Sequence, residues 1–438
     1  MARHPTHAPL SLYLNGRLVG RLRRETSGAI DFRYDKDWLA WSNAIPVSIS
    51  LPLREDRYVG DPVVAVFDNL LPDSDDIRRR IAERAHAAGA DAYHLLAAIG
   101  RDCVGALQFL PEGMEPATAG TIDARPVTDE EIAAIVGNLA RNPLGIGADE
   151  AFRISLAGAQ EKTALLYWKD KWHVPHGTTA TTHIFKPQIG TLPNGIELTN
   201  SVENEYLCLE LVAALGLAAA NSKIIDFAGR RVLVIERFDR TWTSDGRLLR
   251  LPQEDCCQAL SVRPSRKYES DGGPGIRALM ELLKGSDTPE ADQRTLFKAQ
   301  IVFWLLGATD GHGKNFSIRL APAGRLRLAP LYDIVSTQPS LDAGHITQNQ
   351  MKLAMAIGTN RHYVVHTIVG RHFMQTAKSC GLAEKTAKDV ISEVIDTAVL
   401  GFERTLARLP KDFPEPIATS IANGVKRRLS ALPLIEES

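Results

Sequence analysis

The chain has 438 residues, a net charge of −1 and a hydrophobic fraction of 44%. This length allows about two to three domains with large cores, and the small net charge excludes a protein that binds polyanions by bulk electrostatics. The longest apolar run, residues 301–306, is too short to span a membrane, and the first residues lack the apolar segment of a signal peptide. The cysteines show no C-x-x-C pairing and no His partner at metal-ligand spacing, which favours reduced thiols. We therefore expect a cytoplasmic protein.

The first part of the chain predicts a hairpin followed by short strands and helices. Asn15-Gly16 lies between two alternating segments at residues 10–25 and is typical of a type I′ turn. Residues 47–51 and 104–110 have the pattern of strands, and residues 67–84 predict one helix. Residues 128–131 form a capping-box pattern that predicts a helix as far as about residue 141.

The remainder of the chain predicts strands first and then helices. Three short β-type runs occur at residues 164–168, 183–186 and 231–236, and a helix at 202–215 lies between the last two. After Leu251 the pattern is helical almost throughout, with an apolar helix at 296–306 and two amphipathic helices in 383–432, split by prolines. This order predicts an α+β, bilobal fold.

The segment from Asp310 to Asn315 carries the strongest chemical signal. Its two polar ends have the D-x-x-x-x-N spacing of a kinase catalytic loop, and Asp333 follows after one strand-like segment. Phosphoryl transfer needs a carboxylate that orients the acceptor hydroxyl, which fits Asp310. It also needs oxygen ligands for Mg²⁺, which fits Asn315 and Asp333. A capped turn between buried elements is the alternative interpretation of this short pattern.

Four features upstream occur in kinase order. Residues 155–163 form a loop of small residues ending in Lys162-Thr163, but they lack the glycine and the helix of a Walker A motif. Lys186 ends an apolar strand, as a phosphate-binding lysine does, although an edge-strand lysine has the same pattern. Residues 236–238 follow the third strand at the position of an adenine-binding hinge or of an ordinary strand end.

The acidic partner of Lys186 is expected on the helix at 202–215. Glu203, Glu205 and Glu210 all lie on it, and the sequence does not choose among them. The combined order of loop, lysine, acidic helix, hinge, catalytic loop and Asp333 favours a kinase over a coincidental arrangement.

Over essentially its whole length the chain resembles the HipA family, the serine/threonine-kinase toxins of HipA–HipB toxin–antitoxin modules. The resemblance implies a protein-kinase-like α+β fold with a mixed α/β N-lobe, an extra N-terminal subdomain and an all-α C-lobe. We expect a subdomain at 1–110, the nucleotide-binding N-lobe at 111–250 and the C-lobe at 251–438. The resemblance is carried by the segments Phe67–Asp73, Ile99–Ala106, Phe152–Thr163, Arg250–Asp255, Lys267–Gly275, Gly307–Ser317 and Tyr332–Ile334.

The family pattern implies roles for individual residues in binding ATP and Mg²⁺. Asp310 is implied as the catalytic base, Asn315 and Asp333 as the metal ligands, and Ser155 as an autophosphorylated serine; an ordinary strand-end serine is the alternative for Ser155. The nucleotide-binding set implied by the resemblance is Ala157, Gly158, Ala159, Gln160, Glu161, Lys162, Lys186, Glu236, Arg237, Phe238, His312, Gly313, Lys314, Asn315, Tyr332 and Asp333.

The family also implies partners. They are a HipB-type antitoxin, operator DNA reached through it, and a protein substrate such as an aminoacyl-tRNA synthetase. Lys378 matches one basic residue that lies near operator DNA in the family, but Leu382 stands where the second is expected, so DNA contact should come mainly through the antitoxin.

Two other function classes remain open: a repressor subunit with little kinase activity, and a kinase of lipids or small molecules. The sequence does not give the substrate or the oligomeric state.

Overall fold

The structure, a computed structural model, describes residues 7–146, 153–191 and 195–433. The described chain forms two compact units. The first contains the residues up to Pro187 together with Ile225–Ser265 and Ile318–Leu326, and the second contains Gln188–Ile224, Arg266–Ser317 and the residues from Arg327 onward. None of the helices in these ranges combines the length and apolarity that a bilayer crossing requires.

The N-terminal part of the first unit is an antiparallel sheet. In spatial order its strands are Tyr58–Val59, Ile30–Tyr34, Arg17–Arg24, Leu10–Leu14 and Leu107–Pro111. The predicted hairpin is confirmed, because Asn15 and Gly16 both have positive φ, 45° and 81°, as a type I′ turn requires. The strand predicted at 104–110 is present, but it is displaced toward its C-terminal end and covers Leu107–Pro111.

The second sheet of this unit carries the predicted β-runs in its middle. Its strands, in spatial order, are Ser222–Phe227, Arg230–Glu236, His183–Pro187, Thr163–Trp168, Lys171–Pro175 and Ala124–Pro126. A small pair joins Arg240–Trp242 to Leu248–Arg250, and a further sheet contains Gln253–Asp255, Ser317–Ala321 and Arg325–Leu328.

The helices of the first unit are short. Thr128 and Glu131 form the predicted capping box, although that helix ends at Gly137, before the predicted end. The α-helices are Lys36–Leu39, Asp61–Asp68, Asp75–Arg84, Ala92–Ile99, Asp129–Gly137 and Cys256–Ala259, and the 3-10 turns are Pro143–Gly145, Pro264–Arg266 and Pro322–Gly324.

Two local predictions in this unit are wrong. The single helix expected at 67–84 is two helices, because Pro72 interrupts the segment between them and Ser74 caps the second helix by accepting from the Ile77 amide. The strand expected at 47–51 is absent. Its amides bond to side chains instead of a neighbouring strand: Val47 N–H donates to the Tyr34 hydroxyl at 2.9 Å, and Ile49 N–H donates to Glu254 Oε1 at 2.8 Å.

The second unit is mainly helical. Its central helix, Pro289–Leu306, is buried along its C-terminal half and packs against the two predicted C-terminal helices. Its α-helices are Ser201–Ala214, Ile276–Leu282, Pro289–Leu306, Gln338–Asp342, Gly370–Ser379, Glu384–Leu406 and Glu415–Leu429. Its 3-10 turns are Glu269–Asp271, Leu283–Gly285, Gly313–Asn315 and Val365–Thr367, and the short strands Gly190–Thr191 and Glu197–Leu198 pair with each other.

The expectation of an all-α region at 251–438 is wrong in detail. Lys352–Ile357 and His362–Val364 form an antiparallel pair, in addition to the strands at 253–255, 317–321 and 325–328. The strand at 352–357 is short, apolar and mostly buried, and Gly358, with φ of 80°, starts the turn that follows it. Such a short apolar run cannot be distinguished from a buried helix by periodicity alone.

The first unit contains a buried cluster of charges centred on Asp102. Its carboxylate accepts from Arg240 Nη2 at 2.8 Å and from Arg250 Nε at 2.9 Å, and Arg237 Nη1 lies 3.4 Å away. The Thr181 amide and hydroxyl donate to its other oxygen at 3.0 and 2.8 Å. Burial alone would raise the pKa of Asp102, but the three arginines hold it well below its usual range.

Asp239 provides the second anion of this cluster. It binds Arg237 through two hydrogen bonds, of 3.0 and 2.8 Å, and it accepts from the Gly105 amide at 2.7 Å. The guanidinium groups also donate to the backbone oxygens of Cys103 and Gly105. Each charge is therefore paired or bonded, which is the condition under which buried ions are tolerated.

Asp102→Ala should cost about 3–5 kcal/mol of unfolding free energy, because it leaves three buried arginines with one remaining carboxylate partner. Urea denaturation measures the loss. Asp245→Ala is the matched control, since Asp245 pairs with Arg247 at 2.8 Å on the surface of the same unit, and it should change the stability little. Equal effects of the two substitutions would show that the Asp102 cluster has no special role.

The buried side chain of Glu254 should make the stability of the protein depend on pH. Its side chain is fully buried, and burial raises its pKa to about 8 despite hydrogen bonds from Ser48 and the Ile49 amide. The fold thus favours the neutral acid. The contribution of Glu254 to the free energy of unfolding is therefore complete below its unfolded pKa of about 4.3. That contribution is lost as the pH rises toward 8.

Glu254→Gln should therefore gain in Tm relative to the wild type as the pH rises from about 5 to 8. Thermal unfolding at several pH values measures this difference, with the exposed Glu115→Gln as control. A difference between Glu254→Gln and wild type that stays constant over this range contradicts the prediction.

Candidate active site

Ser155 lies inside the first unit, at the start of the predicted nucleotide loop. It is fully buried, its hydroxyl donates to the Leu70 carbonyl at 2.8 Å, and its amide donates to the Asp102 carbonyl at 3.0 Å. The hydroxyl therefore bonds a distant backbone group rather than its own. Phe152, part of the same motif, lies outside the described residues.

The loop at 157–162 closes on itself. Gly158 has φ of 103°, and a Cβ at this position would lie 2.5 Å from Lys162 Nζ. Lys162 Nζ donates to the Ala157 carbonyl at 2.8 Å, and the Gly158 carbonyl accepts from the Asp73 amide at 3.1 Å. Glycine is favoured here by the backbone conformation, because residues with a Cβ rarely adopt a φ of 103°.

The remaining loop residues face different surroundings. Ala159 is exposed, Gln160 Nε2 donates to the Pro187 carbonyl at 3.3 Å, and Glu161 forms an ion pair with Arg80 at 2.9 Å. Contacts within the first unit thus hold both ends of the loop, and Ala159 at its tip is exposed to solvent.

Lys186 lies on a central strand. Its strand, His183–Pro187, is paired with Arg230–Glu236 on one side, where Leu233 is the partner of Lys186, and with Thr163–Trp168 on the other. Lys186 is 5% exposed. The interpretation of Lys186 as an edge-strand lysine is therefore wrong.

The predicted hinge is anchored by its backbone and by Arg237. Glu236 is exposed at the end of its strand, and the Arg237 amide donates to the Thr182 carbonyl at 2.9 Å. The Arg237 guanidinium is buried in the Asp102 cluster, so it supports the segment and does not point to solvent. The guanidinium of Arg319 lies 5.6 Å from the centre of the Phe238 ring.

The residues of the predicted catalytic loop lie together in the second unit. The helix Pro289–Leu306 ends at Gly307, whose φ is 65°, three residues before Asp310. The Asp310 carbonyl accepts from the His312 amide at 2.8 Å and from Asn315 Nδ2 at 2.7 Å. The Asp310 side chain is 58% exposed, whereas Asn315 is buried. The loop therefore presents one carboxylate on a rigid turn.

Tyr268 is a residue of this site to which the sequence assigned no role. Its hydroxyl donates to Asp310 Oδ1 at 2.5 Å, and its ring packs edge-on against His312 with 4.9 Å between the ring centres. His312 Nε2 lies 3.9 Å from the same carboxylate oxygen. The only sequence signal was its inclusion in the segment Lys267–Gly275.

Tyr332 and Asp333 are placed by the same unit. The Tyr332 hydroxyl donates to the Lys314 carbonyl at 2.7 Å and lies 2.6 Å from Ser317 Oγ. Lys314 and Gly313 are buried in the 3-10 turn that ends at Asn315. Asp333 has φ of 57°, a left-handed conformation that costs a non-glycine residue about 1–2 kcal/mol and is typical of functional sites.

The helix Ser201–Ala214 is joined to the segment that follows Asp333. Asn204 Nδ2 donates to the Ser336 carbonyl at 2.8 Å, and the Ser336 amide donates back to Asn204 Oδ1 at 2.9 Å. On this helix Glu203 and Glu205 are buried and Glu210 is partly exposed, and Glu203 accepts from Gln188 Nε2 at 2.7 Å. The pairing of one of these glutamates with Lys186 stays a prediction.

The two positions considered for DNA contact lie near the end of another helix. Lys378 is exposed in the last turn of Gly370–Ser379, and the amide of Leu382 closes the following turn on Ala377 at 2.9 Å. This end of the helix thus offers one cation, Lys378, at the two positions compared.

Comparison with known proteins identifies two family matches. Residues 10–110 match the HipA N-terminal domain, and residues 154–401 match the HipA-like C-terminal domain. The putative kinase Y4mE of Sinorhizobium fredii is 35% identical over 91% of both chains. The serine/threonine-protein kinase toxin HipA of Shewanella oneidensis is 29% identical over 80% of this chain and 78% of the relative.

A solved structure covers nearly the whole chain. It is the toxin–antitoxin system of Shewanella oneidensis MR-1, containing HipA, HipB and its operator DNA. The similarity has a TM-score of 0.79 and 25% identity, and it covers 97% of this chain and 96% of that one.

Proposed function

This chain belongs to the HipA family of protein kinases, with the α+β kinase-like fold of that family, and we propose that it is the ATP- and Mg²⁺-dependent toxin of a type II toxin–antitoxin module. The observation that carries the proposal is the turn around Asp310. An exposed carboxylate stands there on a backbone that Asn315 braces through the Asp310 carbonyl at 2.7 Å. An ordinary capped turn has no need of an exposed carboxylate on a backbone that is braced in this way.

Asp310 acts as the base in this proposal. Its carboxylate accepts the proton of a serine or threonine hydroxyl as the oxygen attacks the γ-phosphorus, and ADP leaves with the bridging oxygen. The exposure of the side chain suits a residue that must meet a second protein.

The residues present fit a Mg²⁺–ATP complex. Asn315 gives its amide hydrogen to the Asp310 carbonyl, which leaves its oxygen as the ligand atom, and Asp333 supplies a carboxylate, so both donors are the hard oxygens that Mg²⁺ prefers. The metal would neutralise charge on the phosphates. We assign Ala157–Lys162, Lys186, His312–Lys314 and Tyr332 to the nucleotide phosphates and their surroundings, and the backbone of Glu236–Phe238 to adenine.

The proposed partners follow from the solved relative, which is a complex with HipB and operator DNA. A HipB-type antitoxin binds this chain, and operator DNA is reached mainly through that antitoxin. The net charge of −1 supports this indirect route, as does the apolar Leu382 at the second position. The cellular substrate we propose is a translation component such as an aminoacyl-tRNA synthetase.

Asp310→Asn should abolish phosphoryl transfer and growth arrest while the protein stays folded and binds ATP, because the substitution keeps the shape and removes the base. Transfer from labelled ATP and growth after induction measure the two effects. Lys186→Ala is the paired variant and should lose ATP affinity instead, since it removes a charge-assisted contact to phosphate. An Asp310→Asn protein that still arrests growth would favour the repressor subunit over the kinase toxin.

Self-inactivation at Ser155 forms part of the proposal. In the described structure the Ser155 hydroxyl is buried against the Leu70 carbonyl, so it reaches a nucleotide only after the loop leaves its position. A phosphate carries about −1.5 to −2 charges at pH 7. Such a group cannot return to a fully buried position without a partner, which keeps the loop displaced and weakens ATP binding.

Incubation with ATP and Mg²⁺ should therefore place a phosphate on Ser155, and none should appear in Asp310→Asn. Mass spectrometry maps the site, and calorimetry compares ATP binding by the two forms. Ser155→Ala should lose the phosphate and about 1 kcal/mol of stability, because its hydrogen bond disappears. Ser27→Ala changes an exposed serine of the same unit, and this variant should still acquire the phosphate on Ser155. A phosphorylated form that binds ATP as tightly as the unmodified form would refute the switch.

A further inference from the structure

We propose that Tyr268 is a positioning residue for phosphoryl transfer, which orients the Asp310 carboxylate toward the acceptor hydroxyl. This inference rests on the proposed kinase function and adds a residue to its acceptor side. The contact that carries it is the 2.5 Å hydrogen bond from the Tyr268 hydroxyl to Asp310 Oδ1.

The backbone of Asp310 is fixed without Tyr268, but its side chain is not. His312 and Asn315 both donate to the Asp310 carbonyl, whereas the carboxylate is 58% exposed. An exposed aspartate rotates about χ1 and χ2 unless a partner selects one orientation. The Tyr268 hydroxyl supplies that partner from a residue that lies 42 positions earlier in the chain.

Tyr268 is itself held by a closed turn. Its carbonyl accepts from the Asp271 amide at 3.1 Å and from the Gly273 amide at 2.8 Å. The preceding carbonyl, of Lys267, accepts from the Gly313 amide at 3.3 Å, which joins this turn directly to the catalytic loop. The ring is further restrained by its edge-on contact with His312.

The turn depends on a glycine and on one partly buried anchor, Glu269. A Cβ on Gly273 would lie 2.1 Å from the Arg266 carbonyl and 2.7 Å from the Tyr268 carbonyl, so any side chain there displaces Tyr268. Glu269 ties the turn to the strand at 352–357 by accepting from the Ala356 amide at 2.6 Å, and it pairs with Arg361 at 3.2 Å. The position of the hydroxyl is therefore set before a substrate arrives.

The hydrogen bond has a defined chemical consequence. Because Oδ1 accepts from Tyr268, Oδ2 is directed to the acceptor hydroxyl and takes its proton, while the new P–O bond forms and the bond to ADP breaks. The tyrosine keeps its own proton throughout. Loss of the hydroxyl should thus affect turnover and not ATP binding, because the ring of Tyr268 and its edge-on contact with His312, which we assign to the nucleotide site, do not depend on the hydroxyl.

Tyr268→Phe tests the inference, because it removes the hydroxyl and keeps the ring. We expect kcat for a protein or peptide acceptor to fall by roughly tenfold to a hundredfold, the range for loss of a hydrogen bond to a charged group. KM for ATP, the ATP dissociation constant and Tm should stay close to wild type. Gly273→Ala should lower kcat in the same way through displacement of the turn.

Tyr58→Phe is the matched control. Its hydroxyl donates to the Pro52 carbonyl in the first unit, so it loses a tyrosine hydrogen bond that involves no residue of the Tyr268 turn and should keep wild-type kcat.

The outcomes separate this inference from the kinase assignment. If Asp310→Asn abolishes activity but Tyr268→Phe keeps the wild-type kcat, only the proposed role of Tyr268 is overturned. A fall in kcat that is matched by weaker ATP binding would overturn it too, because the tyrosine would then act on the nucleotide. Activity retained in Asp310→Asn would overturn both proposals.

Discussion

The pairing of buried charge around Asp102 is the constraint on which the first unit depends. One carboxylate with three arginines is stable in a protein interior only if each ion finds a partner, and here Asp239, Thr181 and backbone carbonyls complete the set. The cluster joins segments that are far apart in sequence: the region after residue 100, the strand connection at 178–182, and residues 237–250. Two parts of the proposed nucleotide site are attached to this cluster. Arg237 belongs to the predicted hinge, and the Asp102 carbonyl accepts from the amide of Ser155, at the start of the predicted nucleotide loop.

In the second unit, neutral hydrogen bonds hold the segments that flank Asp333. Asn204 and Ser336 exchange two bonds, and the Leu331 backbone pairs with Ala218 and Ala220. These contacts hold the chain on either side of Asp333, whose left-handed backbone needs such support. The turn at Asp310 is held in the same way, since its carbonyl accepts from His312 and Asn315 and its carboxylate accepts from Tyr268. Rigid placement of polar groups before substrate binding is what electrostatic catalysis requires.

Local patterns predicted the elements whose partners are close in sequence. The Asn15-Gly16 turn, the Thr128 capping box and the strands predicted at 164–168 and 231–236 depend on backbone preferences and periodicity, and the structure contains all of them. The strand expected at 47–51 failed for a nonlocal reason. The amides of residues 47 and 49 bond to Tyr34 and Glu254, and a strand-like pattern cannot reveal such partners. The single helix expected at 67–84 failed for a local reason, because Pro72 interrupts the segment.

The sequence by itself determined the family, through long motifs such as those at 67–73, 152–163 and 307–317. It also determined the order in which the predicted site residues Lys186, Asp310, Asn315 and Asp333 occur. Only the tertiary structure decided how these residues are supported. It placed Lys186 on a central strand, buried Arg237 against Asp102, and set the Tyr268 hydroxyl on Asp310. The physical reason is that such contacts join residues tens of positions apart. Their geometry follows from strand pairing and turn closure across the fold, which composition and periodicity do not encode.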